Sequence, residues 1–175
     1  VSERLFFALW PGPAQRPALA SLARTIGRDA GRPTHPQDLH LTLVFLGSVD
    51  AATRRCAERT ADGVRVSPFA LRLDRIGYWP GPRVLWCGPE TIADGLRSLV
   101  GQLTRGLERC GLEPEKRPYN PHVTLMRKAP EPLPGEVPAG VAEPLDWPVQ
   151  EFALACGSGA QAPRYRVLRR WPLRV

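Results

Sequence analysis

Lysine is almost missing from this chain: of 24 basic residues 22 are Arg, and only Lys116 and Lys128 are Lys. Genomic base composition alone can create such a bias, so the net charge of +7 and the pI near 9.9 suit an anionic partner without specifying one. Cysteine is scarce and scattered. Cys56, Cys87, Cys110 and Cys156 form no C-x-x-C pair, which removes the signal of a zinc knuckle or redox dithiol and leaves free, mostly buried thiols as the expectation. Long apolar runs are absent too: "LFFALW" is far too short to span a membrane and lacks a secretory cleavage pattern. A soluble, cytoplasmic, monomeric protein without membrane attachment is expected. At 175 residues and 43% hydrophobic content, the chain suits one domain over residues 1–175, with two lobes sharing a cleft.

What is present alternates between strand and helix patterns. "RLFFALWPG" reads as a buried strand closed by a turn. From Pro13 to Ala30, Leu19, Leu22, Ala23 and Ile26 form one helical stripe. "LHLTLVFLG" is a strand, and a weaker helix spans roughly Asp50 to Gly63. "FALRLDRIGYW" alternates as a half-buried strand and "VLWCG" as an interior one. Leu96, Leu99, Val100, Leu103, Leu107 and Cys110 predict the clearest helix, with Gly111 at its C-cap. "YNPHVTLMRK" is another strand. The tract from Ala129 to Pro148 holds six prolines and no basic residue, and predicts a long surface loop. "VQEFALACG" and "RYRVLRRWPL" are the closing strands.

A repeat emerges: strand, helix and His-x-Thr strand from Leu5 to Leu46, then again from Val84 to Met126, with the two histidines 82 residues apart. This predicts an α+β fold of two lobes related by a pseudo-twofold, mainly antiparallel sheets with outer helices, and equivalent residues facing each other across a central groove. Alternate residues of a strand share a face, so His40 projects with Thr42 and His122 with Thr124. Two imidazoles at one point supply a general base and a general acid, because an unperturbed pKa of about 6.5 lets one ring be neutral and the other protonated. Two hydroxyls can donate to non-bridging phosphate oxygens. In-line attack on a phosphodiester needs these groups and no metal, and the motifs lack the carboxylates of magnesium sites. Neither a metal nor another cofactor is expected.

The stretches "RLFFALWP", "LHLTLVFLG", "PRVLWCG", "RPYNPHVTLMR" and "EFALACGSG...RYRVLRRWPL", in order across nearly the whole length, resemble the two-histidine phosphoesterase superfamily. Within it the likeness is to the RNA 2',3'-cyclic phosphodiesterases, also called 2'-5' RNA ligases. The resemblance implies hydrolysis of RNA 2',3'-cyclic phosphate ends, tRNA fragments among them, to 2'-phosphomonoesters. It also implies reversible, ATP-independent 2'-5' ligation. By that resemblance His122 would activate water as proton acceptor, His40 would protonate the departing 3' oxygen, and Thr42 and Thr124 would hold the phosphate. Arg127 matches a phosphate-contacting position, but five residues after His122 a regular strand turns it away, so a twist or bulge after Met126 must re-aim it.

Phe7, or Phe6 beside it, could stack on a base. Tyr119 and Trp79 are candidate groove-wall residues, and His35 in "PTHPQD" reads as a loop residue. Gly157 stands where the family often has Ser. Rival readings are a cyclic phosphodiesterase for small nucleotides such as ADP-ribose cyclic phosphate, and a non-catalytic nucleotide-binding module.

Overall fold

A computed structural model describes residues 2–27, 31–130 and 138–175. The uninterrupted apolar run of β1 (Glu3–Leu9) is buried on both faces, which is why it lacks alternation. It leads into α1 (Gln15–Gly27), whose Leu19 and Ala23 turn inward; Ala30, placed in this helix by the sequence reading, lies outside the described residues. The two-residue β2 (Arg32–Pro33) and a 3-10 turn (Pro36–Asp38) precede β3 (Leu41–Val49). In α2 (Ala51–Asp62) the Asp50 carboxylate accepts from the Thr53 N–H at 2.8 Å, an N-cap bond.

β4 (Phe69–Trp79) and β5 (Val84–Gly88) lead to α3 (Asp94–Glu108), which buries Leu96, Leu99, Leu103 and Leu107 on one stripe. Gly111, at φ 81°, takes the left-handed conformation that lets the Leu112 N–H reach back to the Leu107 carbonyl at 3.1 Å. β6 (Val123–Arg127), β7 (Gly140–Val149), β8 (Glu151–Gly157) and β9 (Tyr165–Pro172) complete the fold.

Every strand pairing among the described residues is antiparallel, in the order β7-β4-β5-β6-β3-β1-β8-β9, with β2 on β6. Read outward from the β6–β3 junction, the halves match: a His-x-Thr strand, then the strand that precedes its helix, then two more. The expected pseudo-twofold is present, but as two halves of one sheet rather than two sheets, because β3 and β6 join at the single pair Leu41↔Val123. The helices also cross over. α1, which follows β1, contacts β6, and α3, which follows β5, contacts β3. The large core lies between sheet and helices, while Phe6, Ala8 and Ala155 form a second cluster with Trp10 and Tyr165.

Two expectations fail here. The proline-rich tract is not all loop: residues 131–137 lie outside the described ones, but from Gly140 it forms β7, paired to β4 with Leu71 opposite Trp147 and Phe69 opposite Val149. As an edge strand β7 can hold Pro144 and Pro148 with no N–H, and Trp147 and Val149 are buried. The thiols are not all free either. The packing of α2 on α3 brings Cys56 and Cys110 to a Cα separation of 5.8 Å, where they form a disulfide, and only Cys87 and Cys156 are free and buried. No helix among the described residues is long and apolar enough to cross a membrane.

Candidate active site

Leu41 and Val123, the pair at the sheet junction, are fully buried in the main core. One step to either side, strand alternation turns His40, Thr42, His122 and Thr124 to the opposite face. The antiparallel sense sets His40 beside Thr124 and Thr42 beside His122, and His40 and Thr124 line one cavity. The junction is tight: a Cβ on Gly88 would collide with the Pro121 carbonyl oxygen and come within 3.5 Å of the His122 Cα, so β5 can lie against this strand only with Gly there.

Each motif strand carries a β-bulge on the residue after its threonine. Phe7 pairs with Val44 and Ala8 with Thr42, leaving Leu43 without a partner; Leu85 pairs with Met126 and Trp86 with Thr124, leaving Leu125 without one. An extra residue inverts the alternation beyond it. The fifth residue after each histidine therefore returns to the reactive face. In the second half that residue is Arg127, re-aimed by a bulge one residue earlier than the sequence reading required. In the first half it is Phe45, which is 56% exposed and lies under the Arg4 guanidinium at 5.2 Å from the ring centre. Phe45 was missed in the sequence, where nothing marks a bulge, although the equivalence of His40 plus five and His122 plus five was there to be read.

The two rings are held alike. His40 Nδ1 lies 2.6 Å from the Asp38 carbonyl oxygen and His122 Nδ1 lies 2.8 Å from that of Asn120. A carbonyl only accepts, so Nδ1 carries the hydrogen in both rings and Nε2 is left to exchange protons. Their surroundings differ. Trp10 stacks on His40 at 5.0 Å and 18°, with Phe6 at 5.1 Å and Tyr165 edge-on at 5.0 Å. This burial pushes the His40 pKa down to about 4, against the Asp38 carbonyl bond, with the positive charges of Arg127 and His122 pushing the same way. His122 meets the edges of Trp79 at 4.6 Å and Trp86 at 6.2 Å, and burial again lowers its pKa, with Arg127 adding and the Asn120 bond opposing. Burial therefore favours the neutral form of both rings in the free protein.

Hydroxyls from each half brace the other. Thr34, upstream of the first motif, donates to the Thr124 carbonyl at 2.7 Å, and Tyr119, upstream of the second, donates to the Thr42 carbonyl at 2.9 Å. Tyr119 is therefore a brace, and burial raises its pKa, keeping the phenol a donor. Asp38, 4% exposed, is the buried charged residue of the described core. Its carboxylate accepts from the backbone N–H groups of Arg164 (2.8 and 3.0 Å) and Tyr165 (3.2 Å), tying the segment that carries Tyr165 to the turn before His40.

Phe7 is 0% exposed and packs on Phe152 and Trp171, so it has no surface for a base; Phe6, its neighbour, faces His40 instead. The fully buried run of β1 gave no alternation from which to choose between them. His35 is exposed, and its Nδ1 accepts from the Gln37 N–H at 3.2 Å. Gly157 lines a cavity of about 450 Å³ with Arg4, Phe45 and Thr42. A second cavity of about 280 Å³ runs past Arg32, Thr34 and Thr124, and both share His40, Arg127, Arg164 and Tyr165. Among the described residues no three His, Cys, Asp or Glu side chains gather closely enough to hold a metal ion.

The family model described as "2'-5' RNA ligase superfamily" matches residues 10–159. The RNA 2',3'-cyclic phosphodiesterase of Escherichia coli K12 is 35% identical over 175 residues, covering 98% of this chain and 97% of its own. That of Thermus thermophilus is also 35% identical, over 98% of this chain and 90% of its own. The crystal structure of E. coli LigT complexed with 3'-AMP superposes with a TM-score of 0.86 at 33% identity over 98% of both chains. With its paired motif strands meeting at one junction, the chain belongs to the 2'-5' RNA ligase superfamily.

Proposed function

We propose that this chain, acting as a monomeric two-lobed unit over residues 1–175 in the cytoplasm, opens RNA 2',3'-cyclic phosphate ends to 2'-phosphomonoesters without a metal ion. One observation carries the proposal: two His-x-Thr segments meet at Leu41↔Val123 with each Nδ1 tied to a carbonyl, leaving two Nε2 atoms for proton transfer. In the cytoplasm thiol pairs such as Cys56 and Cys110 are ordinarily kept reduced; neither lines the two cavities.

His122 Nε2 takes a proton from water as its oxygen forms a bond to phosphorus. The bond from phosphorus to the 3' oxygen breaks, and His40 Nε2–H gives that oxygen its proton. Thr42, Thr124 and Arg127 donate to the oxygens on which charge accumulates. The products are a 2'-phosphomonoester and a 3'-hydroxyl; His122 then loses its extra proton to solvent and His40 regains one. A 5'-hydroxyl in place of water gives the 2'-5' linkage, and in reverse the cyclic bond is restored without ATP. The base of the terminal nucleotide lies against Phe45, whose exposed ring adjoins Thr42.

Proton supply sets the working pH. Reaction needs one ring protonated and one neutral, whichever is acid. Below the His40 pKa of about 4 both carry protons; above that of His122, itself under the ordinary 6.5, both are neutral. A phosphate anion between the rings raises both pKa values and restores the supply.

An oligonucleotide ending in a 2',3'-cyclic phosphate, incubated with the protein in EDTA, should yield a 2'-phosphate in end-group analysis; a 3'-phosphate reverses the leaving group. Replacing His40 or His122 by Ala should each cost roughly 10²–10⁴-fold in kcat, and near wild-type rates for both would remove the assigned centre. Phe45→Ala should raise KM by about tenfold and alter kcat far less; an unchanged KM places the base elsewhere. The kcat/KM profile should be a bell with its acid limb near pH 4 and its falling limb below pH 6.5. An optimum above pH 7 would contradict the ring environments described.

A further inference from the structure

Arg32 and Arg127 are direct cross-strand partners where β2 pairs with β6. Both line the smaller cavity, together with Arg164 and His35. Like charges set opposite each other on an antiparallel pair repel, and an anion held between them turns that repulsion into attraction. Among the described residues no carboxylate forms an ion pair with Arg32, Arg127 or Arg164. The acidic group of this cavity, Asp38, has its carboxylate occupied by the N–H groups of Arg164 and Tyr165. Three guanidinium groups thus converge from three separate segments on a space where the acidic residue among the described ones, Asp38, directs its carboxylate oxygens to backbone N–H groups and forms no ion pair with them.

That space adjoins the reaction centre without coinciding with it. Arg32 lines only the smaller cavity, whereas Arg127 lines both. The cavity continues from Thr124 and His40 towards Arg32, away from the larger cavity that holds Thr42 and Phe45. Pro33, Ala162 and the Tyr165 ring supply apolar wall between the cations, which suits a sugar flanked by phosphates. Arginine forks bind phosphate through paired N–H donors.

We infer that Arg32, with Arg164, forms a second phosphate subsite that holds the phosphodiester immediately 5' of the nucleotide bearing the cyclic phosphate, next to the reacting phosphate that Arg127 contacts. This subsite presupposes the reaction centre proposed above and adds a contact that the chemical step does not require. Phe45 holds the terminal base on one side of the histidine pair, and the arginine pair holds the incoming backbone on the other.

The test compares three substrates carrying the same terminal base: a nucleoside 2',3'-cyclic phosphate, a dinucleotide ending in that group, and the same dinucleotide with a neutral methylphosphonate linkage. The phosphodiester dinucleotide should exceed the methylphosphonate in kcat/KM by roughly tenfold, and Arg32→Ala should reduce that ratio to near one. Equal rates for the two linkages with the wild-type protein, or a full ratio retained by Arg32→Ala, overturn the subsite. If none of the three is opened, the reaction-centre reading falls instead, and equilibrium binding then decides the subsite. A dinucleotide ending in a 2'-phosphate should bind Arg32→Ala about tenfold more weakly than wild type, and equal affinity overturns it. The linkage comparison uses the unaltered protein, so it stands even if the variant folds poorly.

Discussion

Two strands, each with a histidine and a threonine on one face, touch through the single antiparallel pair Leu41↔Val123. That one pair keeps together the four side chains that flank it. A contact this short needs outside support. Both central residues are fully buried, α1 and α3 each pack on the other half's motif strand, and Thr34 and Tyr119 each donate a hydroxyl across to the other half's threonine carbonyl. The two hydroxyl bonds span 90 and 77 residues of chain, so they tie together parts that local sequence cannot.

The bonds at Nδ1 turn position into chemistry. Each takes a carbonyl only two residues upstream, so the tautomer is set by the local turn and survives small movements between the halves. Burial then separates the rings. Asp38 contributes to both effects: its carbonyl fixes the His40 ring, and its carboxylate fixes the segment whose Tyr165 helps to enclose that ring. A carboxylate so deeply buried is tolerable because three backbone contacts satisfy it. His122 meets the edges of two tryptophans instead, and burial lowers its pKa as well. Near-symmetric sequence has produced two histidines in unequal surroundings.

How much of this was legible depended on whether the deciding interaction was local. His40, Thr42, His122 and Thr124 could be read because alternation and a repeat both act within short stretches. The order of elements followed for the same reason, helices from stripes such as Leu96 to Leu107 and strands from runs such as Phe69 to Trp79. Phe6 could not be told from Phe7, since a strand covered on both faces carries no period. The strand β7 was hidden by prolines that only its edge position makes harmless, although Leu145, Trp147 and Val149 alternate in plain sight. The Cys56–Cys110 pair depends on how α2 lies on α3, and Asp38 finds its partners 126 and 127 residues away. Neither leaves a mark at short range.

The bulges at Leu43 and Leu125 explain where the duplication stops being symmetric in function. Both shift the alternation by one residue at the same point of the motif, and both deliver the fifth residue after histidine to the reactive face. The geometry is shared between the halves while the side chain delivered is not: a partly exposed aromatic ring under Arg4 at Phe45, a guanidinium at Arg127. A nucleotide is itself unsymmetric, with a flat apolar base at one end and anionic backbone at the other. Two equal halves would have presented the same group to both ends and left either the base without a stacking surface or the backbone without a cation. On the proposed reading that difference suits the two ends of a nucleotide, while the four side chains at the junction stay paired.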